Sequence, residues 1–289
     1  MRTERAAALA AALLILGGLT ACSTVGGQSS RSPGTGAAVK GPQKRTPQEA
    51  LQLAAQVTDK AGSARLEVDE QNHEYGHSTV TGAAAWGEDR SSAGLAITQD
   101  RGKGEVRVVD GSYYASYDWL PAEFKGRHWA KASRELAEAL DSGDTSTGGP
   151  KSLTGVWLTS LTEGPSGPLR LMAKVGQLTL VGKEPVASAA ATHYRATASV
   201  TDYSAADTGM SDADRAATLA YYQGQGAQTI TFDFWINDAN ELVKSVETVQ
   251  GTAGTDTVTT SLSQLGLSVP VQIPPAADTV DLAKQPVTR

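Results

Sequence analysis

The chain has 289 residues, with 25 Lys and Arg against 31 Asp and Glu, one Cys, and 40% hydrophobic residues. A net charge of −6 argues against a nucleic-acid binder, which needs a basic face to release counterions. One Cys excludes a disulfide framework and any zinc site built on several thiolates, and 30 Gly with 12 Pro is neither a collagen nor a coiled-coil composition.

The N-terminus reads as an address. Two arginines, Arg2 and Arg5, precede an apolar run over residues 6–19, and Leu19-Thr20-Ala21-Cys22 follows. A charged start, a short apolar core and small residues before a cut define a signal peptide, and the run is shorter than the roughly 20 residues that cross a bilayer. The segment resembles the bacterial lipobox. That resemblance implies cleavage between Ala21 and Cys22, a diacylglycerol on the Cys22 thiol, and anchorage to the outer face of the cytoplasmic membrane. Loss of the leader removes two arginines and one glutamate, so the remainder is more acidic still. Residues 22–45 then form a lipidated Cys and a tether of Ser, Gly, Pro, Thr and Gln with no acid and four basic residues. Such a segment cannot bury a core and spans roughly 25–30 Å as a flexible coil.

The folded part is expected over residues 46–275, with residues 276–289 as a tail. Thr46-Pro47-Gln48-Glu49 is a capping box with proline at the first helical position, and Ala50, Leu51, Ala54, Val57 and Ala61 form an apolar stripe ending at Gly62. The period then switches to two. Ala64, Leu66 and Val68, a polar turn at Tyr75-Gly76, and Val80, Gly82, Ala84 and Trp86 predict a β-hairpin. Short strands follow over 95–99, 105–110 and 112–117. Helices are expected over 133–140, 153–162 and 169–175. The alternation of Leu178 and Leu180 and of Tyr194, Ala196, Ala198 and Val200 restores strands, and a helix begins at Ser211-Asp212-Ala213-Asp214 and stops near Gly224. The clearest strand is 228–237, with Ile230, Phe232, Phe234 and Ile236 on one face; the meander continues over 241–250 and 255–262. This order is α+β around one large antiparallel sheet, without the strict alternation of a parallel one.

His73-Glu74-Tyr75-Gly76-His77 matches H-E-x-x-H, which binds zinc when a helix sets both histidines on one face. Here it sits between two period-two segments, with Gly76 inside it, so a hairpin tip is expected and no metal is assigned. In an extended chain the two histidines would stand about 13 Å apart. The sequence contains no G-x-S-x-G elbow, P-loop or dinucleotide fingerprint, so neither cofactor nor catalytic residue is assigned. His128 and His193 read as strand residues.

Lipobox, tether, capped first helix, long meander and helical insert together resemble the actinobacterial lipoprotein family of LppX and LprG, related in fold to the carrier LolA. The residues that carry the likeness are Gly111-Ser112-Tyr113-Tyr114-Ala115, Gly126-Arg127-His128-Trp129-Ala130-Lys131, His193-Tyr194-Arg195 and Phe234-Trp235-Ile236-Asn237-Asp238. The family implies a curved half-barrel sheet with helices on its concave face and a lipid cavity between them. The family supplies no single ligand residue to carry over. The candidate lining comes from the inward faces, where small Ala196 and Ala198 lie among large Trp86, Phe232 and Phe234, and from Trp157 and Leu161 of the expected helix, which otherwise fills that volume as ordinary core. The partners implied are the membrane and a lipid ligand. The competing reading is an interaction module without cargo, using Trp119 and the tyrosines of 113–117 as an exposed surface.

Overall fold

The computed structural model describes residues 45–284, apart from 74–75, 88–90, 101, 119–123, 135, 138–163 and 188. Helix α1 (Pro47–Ala61) starts at the capping box. The Thr46 hydroxyl accepts from the Glu49 amide, and the Glu49 carboxylate accepts from the Thr46 amide at 2.8 Å. It stops at Gly62, whose φ of 68° is the left-handed turn that glycine adopts without a Cβ clash. The buried stripe is Ala50, Leu51, Ala54, Ala55 and Thr58, rotated from the expected one so that Val57 and Ala61 are only half-buried.

Twelve strands make one sheet. They are β1 (Ser63–Asn72), β2 (Gly76–Ala85), β3 (Ser92–Gln99), β4 (Gly102–Val109), β5 (Ser112–Tyr117), β6 (Trp129–Ser133), β7 (Gln177–Val186), β8 (Ala189–Ser199), β9 (Thr229–Asn237), β10 (Leu242–Gln250), β11 (Thr255–Ser263) and β12 (Thr279–Asp281). The spatial order is β12-β6-β5-β4-β3-β2-β1-β11-β10-β9-β8-β7. Two meanders, β1 to β6 and β7 to β11, are thus joined by the antiparallel β1–β11 pair. The sheet is curved and open, with β12 and β7 as its edges. Helices α2 (Gly167–Val175), α3 (Val200–Ala206) and α4 (Asp212–Gly224), with two 3-10 turns at Ala276–Asp278 and Leu282–Lys284, complete the described elements.

Registers fix which residues share a face. Leu66, Gly82, Leu95 and Val106 lie in one row, and Ala196 and Phe232 oppose each other in another. Leu66, Leu95, Val106, Ala196 and Phe232 belong to one core with Leu51 and Ala54 of α1 and Leu169 and Met172 of α2, so this is the helix-covered, inner face. The α+β class and the helices on one face agree with the sequence reading.

Several expectations need correction. The tail expected over 276–289 is structured over its described part, 276–284: β12 pairs in parallel with β6, and Val280 is buried. The chain reaches that position by crossing the sheet, accepting hydrogen bonds on the Leu267, Val269 and Gln272 carbonyls from Ser63, Ser92 and Arg107. Apolar Val280 among polar residues carries too short a pattern to predict a strand. Val200 opens α3 instead of ending a strand, because Ser199 caps that helix by accepting from the Asp202 amide. Ser133 ends β6, a strand absent from the sequence reading; of the helix expected over 133–140, the described residues Arg134, Leu136 and Ala137 are helical, and the helix expected over 153–162 lies outside the described residues. His128 lies just before β6, with its ring Nδ1 2.8 Å from Asp278. Tyr113, Tyr114 and Tyr117 are buried in the sheet and offer no exposed aromatic surface; Trp119 lies outside the described residues.

Candidate functional site

The β8–β9 part of the inner face is the densest apolar region. Ala196, Ala198, Phe232 and Phe234 come together there by register, as the period-two alternation requires. The Phe232 and Phe234 rings stack at 5.5 Å, and Tyr203 of α3 lies 5.7 Å from Phe232. All four residues are buried beneath α2 and α3. The alanines make room for helices to approach closely. Gly82 serves a different purpose: a Cβ there would stand 2.1 Å from the Gly94 carbonyl oxygen, so β2 and β3 could not pack as they do. Trp86 stands apart from the phenylalanines, beyond the end of β2 against Gly164, and its buried indole N–H has no hydrogen-bond partner among the described residues. Trp157 and Leu161 lie outside the described residues.

The centre of the same face is less closed. Ser245 and Glu247 of β10 oppose Phe234 and Phe232, and Thr260 and Val258 of β11 oppose them in turn. All four are only half-buried, although they sit on central strands and share a face with the core. Val258 and Tyr222 of α4 pack against the core beside them. Glu70 of β1 opposes Val258, so Glu70, Val258, Glu247 and Phe232 form one row across four strands. Ser78 donates to Glu70 at 3.1 Å.

Glu247 is the unusual group in this row. Part of its side chain stays accessible, but the carboxyl itself is enclosed, and that burial first, then the negative charges of Glu70 and Asp256, push it up to about 7. Burial beside Glu247 also raises the Tyr222 hydroxyl well above its ordinary value. At neutral pH the Glu247 carboxyl is therefore poised between a form that only accepts hydrogen bonds and one that can also donate. The sequence does carry a signal for it, a charged residue at an inward position of the 241–250 strand. An isolated acid in a strand forms no motif, however, so the signal does not stand out.

On the opposite, outer face, β7, β8 and β9 carry a compact polar cluster. His193 places Nε2 2.6 Å from Asp233 and Nδ1 2.9 Å from Glu184, and its ring stacks on Trp235 at 4.3 Å. Arg195 holds Asp233 with two bonds of 2.9 and 3.0 Å, and the Trp235 indole donates to Glu184 at 3.0 Å. The hydrogen bonds from His193 and then from Trp235 hold the Glu184 carboxyl below its usual range. The cluster clamps the edge strand β7 to its two neighbours.

The H-E-x-x-H histidines flank the β1–β2 turn and engage different acids. His73 Nδ1 is 2.7 Å from Asp256, and His77 Nε2 is 2.9 Å from Asp69. Among the described residues no group of three or more His, Cys, Asp or Glu side chains is placed to hold a metal ion. A hollow of about 220 Å³ between α3 and α4, lined by Thr201, Ser204, Arg215 and Leu219, is smaller than the roughly 300 Å³ where ligand pockets begin.

The fold and site define an α+β protein whose open sheet carries helices on one face and a partly uncovered polar row at that face's centre. No protein-family model matches the chain. An uncharacterised 31.2 kDa protein of Streptomyces griseus, encoded between rplA and rplJ, is 29% identical over 253 residues, 82% of this chain and 80% of its own. A protein of Streptomyces coelicolor named as a candidate lipoprotein is 26% identical over 306 residues, 97% of this chain and 94% of its own. Among solved structures, LprF of Mycobacterium bovis superposes with a TM-score of 0.47 at 15% identity, over 79% of this chain and 96% of its own. Lipoprotein LppX of Mycobacterium tuberculosis gives 0.47 at 12% identity, over 78% and 97%.

Proposed function

We propose that the chain is an envelope lipoprotein of the LppX and LprG kind, anchored through lipidated Cys22 at the outer face of the cytoplasmic membrane. Its domain binds a lipid or other apolar ligand between sheet and helices, in lipid carriage or sensing. The anchor rests on the lipobox, in which the chain's single cysteine follows a charged, apolar leader. The lipoprotein name of the S. coelicolor relative, which aligns over nearly the whole chain, supports it.

The observation that carries ligand binding is the unevenly covered inner face. Its β8–β9 part is filled by helix side chains, while Ser245, Glu247, Val258 and Thr260 at the centre stay half-buried. An acyl chain would lie along Val258 and the phenylalanines, with its polar end toward Glu247 and Glu70. Most ligand pockets have this chemistry, an apolar lining with a few convergent polar groups. The test has two parts. Intact-mass measurement of protein extracted from its host membrane should show a diacylglycerol adduct on Cys22. Titration of the delipidated Cys22→Ser protein with a fluorescent polyene fatty acid should then saturate at a defined stoichiometry. Unmodified Cys22 refutes the anchor, and a titration that never rises above the protein-free blank refutes the binding.

A further inference from the structure

We propose that the β7 edge at Leu180 and Val181 is the surface by which this domain seats on the lipid bilayer. The inference rests on the lipid-anchor reading above and adds an orientation to it.

Only four large hydrophobic side chains are exposed among the described residues, and two of them are neighbours on this edge: Leu180 at 55% and Val181 at 48%. Strand β7 has no outer partner among the described residues. It is also poorly suited to acquire another strand: the register shifts between Leu180 and Gly182, and Lys183 and Pro185 follow, all devices that discourage edge pairing. An apolar pair that is left open yet guarded against strand addition fits a fluid apolar partner better than a protein edge.

The anchored chain enters at the β9–β10 turn, which lies level with Lys183 and Glu184, further along β7 than Leu180 and Val181. Arg45, the first described residue, donates to Asn240 in the β9–β10 turn at 2.6 Å. Its charge reaches the Tyr194 hydroxyl, and Tyr194 is the cross-strand partner of Leu180. Lys183 stands 3.9 Å from Asp238 of that turn. The sequence between Cys22 and Arg45 is rich in Gly and Ser, and a flexible chain of that length and composition would span roughly 25–30 Å. A lipid on Cys22 therefore holds this end of the strands closer to the membrane than the opposite end. Leu180 and Val181 then enter the headgroup–acyl boundary, where apolar side chains bind reversibly and a second contact strengthens a single lipid anchor. Arg45 and Lys183 lie at headgroup level, where anionic lipids attract them, although Glu184 and Asp238 beside them temper that attraction.

The experiment uses the full lipidated chain in phosphatidylethanolamine–phosphatidylglycerol vesicles. Acylation of Cys22 leaves no native free thiol, so Val181→Cys takes a single environment-sensitive fluorophore, and Ala253→Cys in the β10–β11 turn at the far end serves as reference. The expected result is a blue-shifted emission at position 181 and iodide quenching severalfold weaker there than at 253. Adding Leu180→Asp should abolish that protection while far-UV circular dichroism stays unchanged. Equal quenching at the two positions overturns the proposal. So does protection at 181 that appears without vesicles and grows with protein concentration, because a second copy would then be the occupant. If mass measurement finds Cys22 unmodified, the anchor reading fails by itself. The seating is then read on Cys22→Ser protein held to nickel-chelating vesicles by an N-terminal His tag. Weaker quenching at 181 than at 253 supports the seating there too, and equal quenching overturns it.

Discussion

Replacing Glu247 by Gln should stabilise the protein at alkaline pH and change its stability little in mild acid. The carboxyl is raised from 4.5 to about 7 by burial, with Glu70 and Asp256 adding to it. Because the folded-state value lies above the unfolded one, the folded protein holds the proton more tightly. Stability is then fully present below pH 4.5, declines as pH rises toward 7, and stays reduced above it. A shift of this size corresponds to about 3 kcal/mol once both states are ionised, at about 1.4 kcal/mol per unit. Gln has nearly the same volume and no charge, so it removes the penalty without opening a cavity. Urea denaturation of delipidated Cys22→Ser protein, with and without Glu247→Gln, at intervals from about pH 5 to about pH 8.5 measures the difference directly. The gap between the variants should be under about 1 kcal/mol at the acid end and widen to a plateau of about 3 kcal/mol above about pH 7.5. Glu70→Gln should give a smaller change of the same sign, since it removes only the leading charge contribution and leaves burial. A gap that is flat across the range, or one that favours the glutamate at high pH, would refute this reading of the inner face.

Three further outcomes test the fold. Thr46→Ala removes the acceptor for the Glu49 amide and should lower stability by about 1 kcal/mol, read as a reduced urea midpoint at unchanged slope. Val280→Ala should cost about 1–3 kcal/mol, because the side chain is buried in the β12–β6 pair; a loose tail would show no change. The Asp278 carboxyl is held below its usual range by hydrogen bonds from the His128 side chain and backbone. That stabilisation exists above the ordinary carboxylate range and is lost as pH falls through the lowered value. Asp278→Asn should therefore melt at a lower temperature than the parent at about pH 6 and converge with it near about pH 2, whereas a constant offset would contradict the assignment.

Where the sequence is legible, the signals are local and redundant. Thr46, Pro47, Glu49 and Gly62 each specify part of one helix by their own backbone chemistry, and α1 lies where they require. The alternation of Ile230, Phe232, Phe234 and Ile236 leaves only one face for the core, and β9 buries it. The pairing of β1 with β11 is different in kind. It joins residues 63–72 to residues 255–263, and neither strand carries any mark of the other. The polar row of Glu70 and Glu247 exists only through that pairing, which is why the candidate site is not visible in the sequence. The clamp of Glu184, His193, Asp233 and Trp235 is hidden for the same reason, since its four members come from three strands. Strand β12 escapes because three residues with one apolar side chain have no period to detect.

Whether the inner face holds an apolar ligand is tested most directly by native mass spectrometry. The Cys22→Ser protein, purified from a bacterial host without organic solvent, should carry a discrete extra mass of several hundred daltons. Organic extraction should remove that mass as a glycerolipid, and incubation with the extracted lipids should restore it. A clean polypeptide mass that stays unchanged after exposure to lipids of the source membrane would contradict ligand binding.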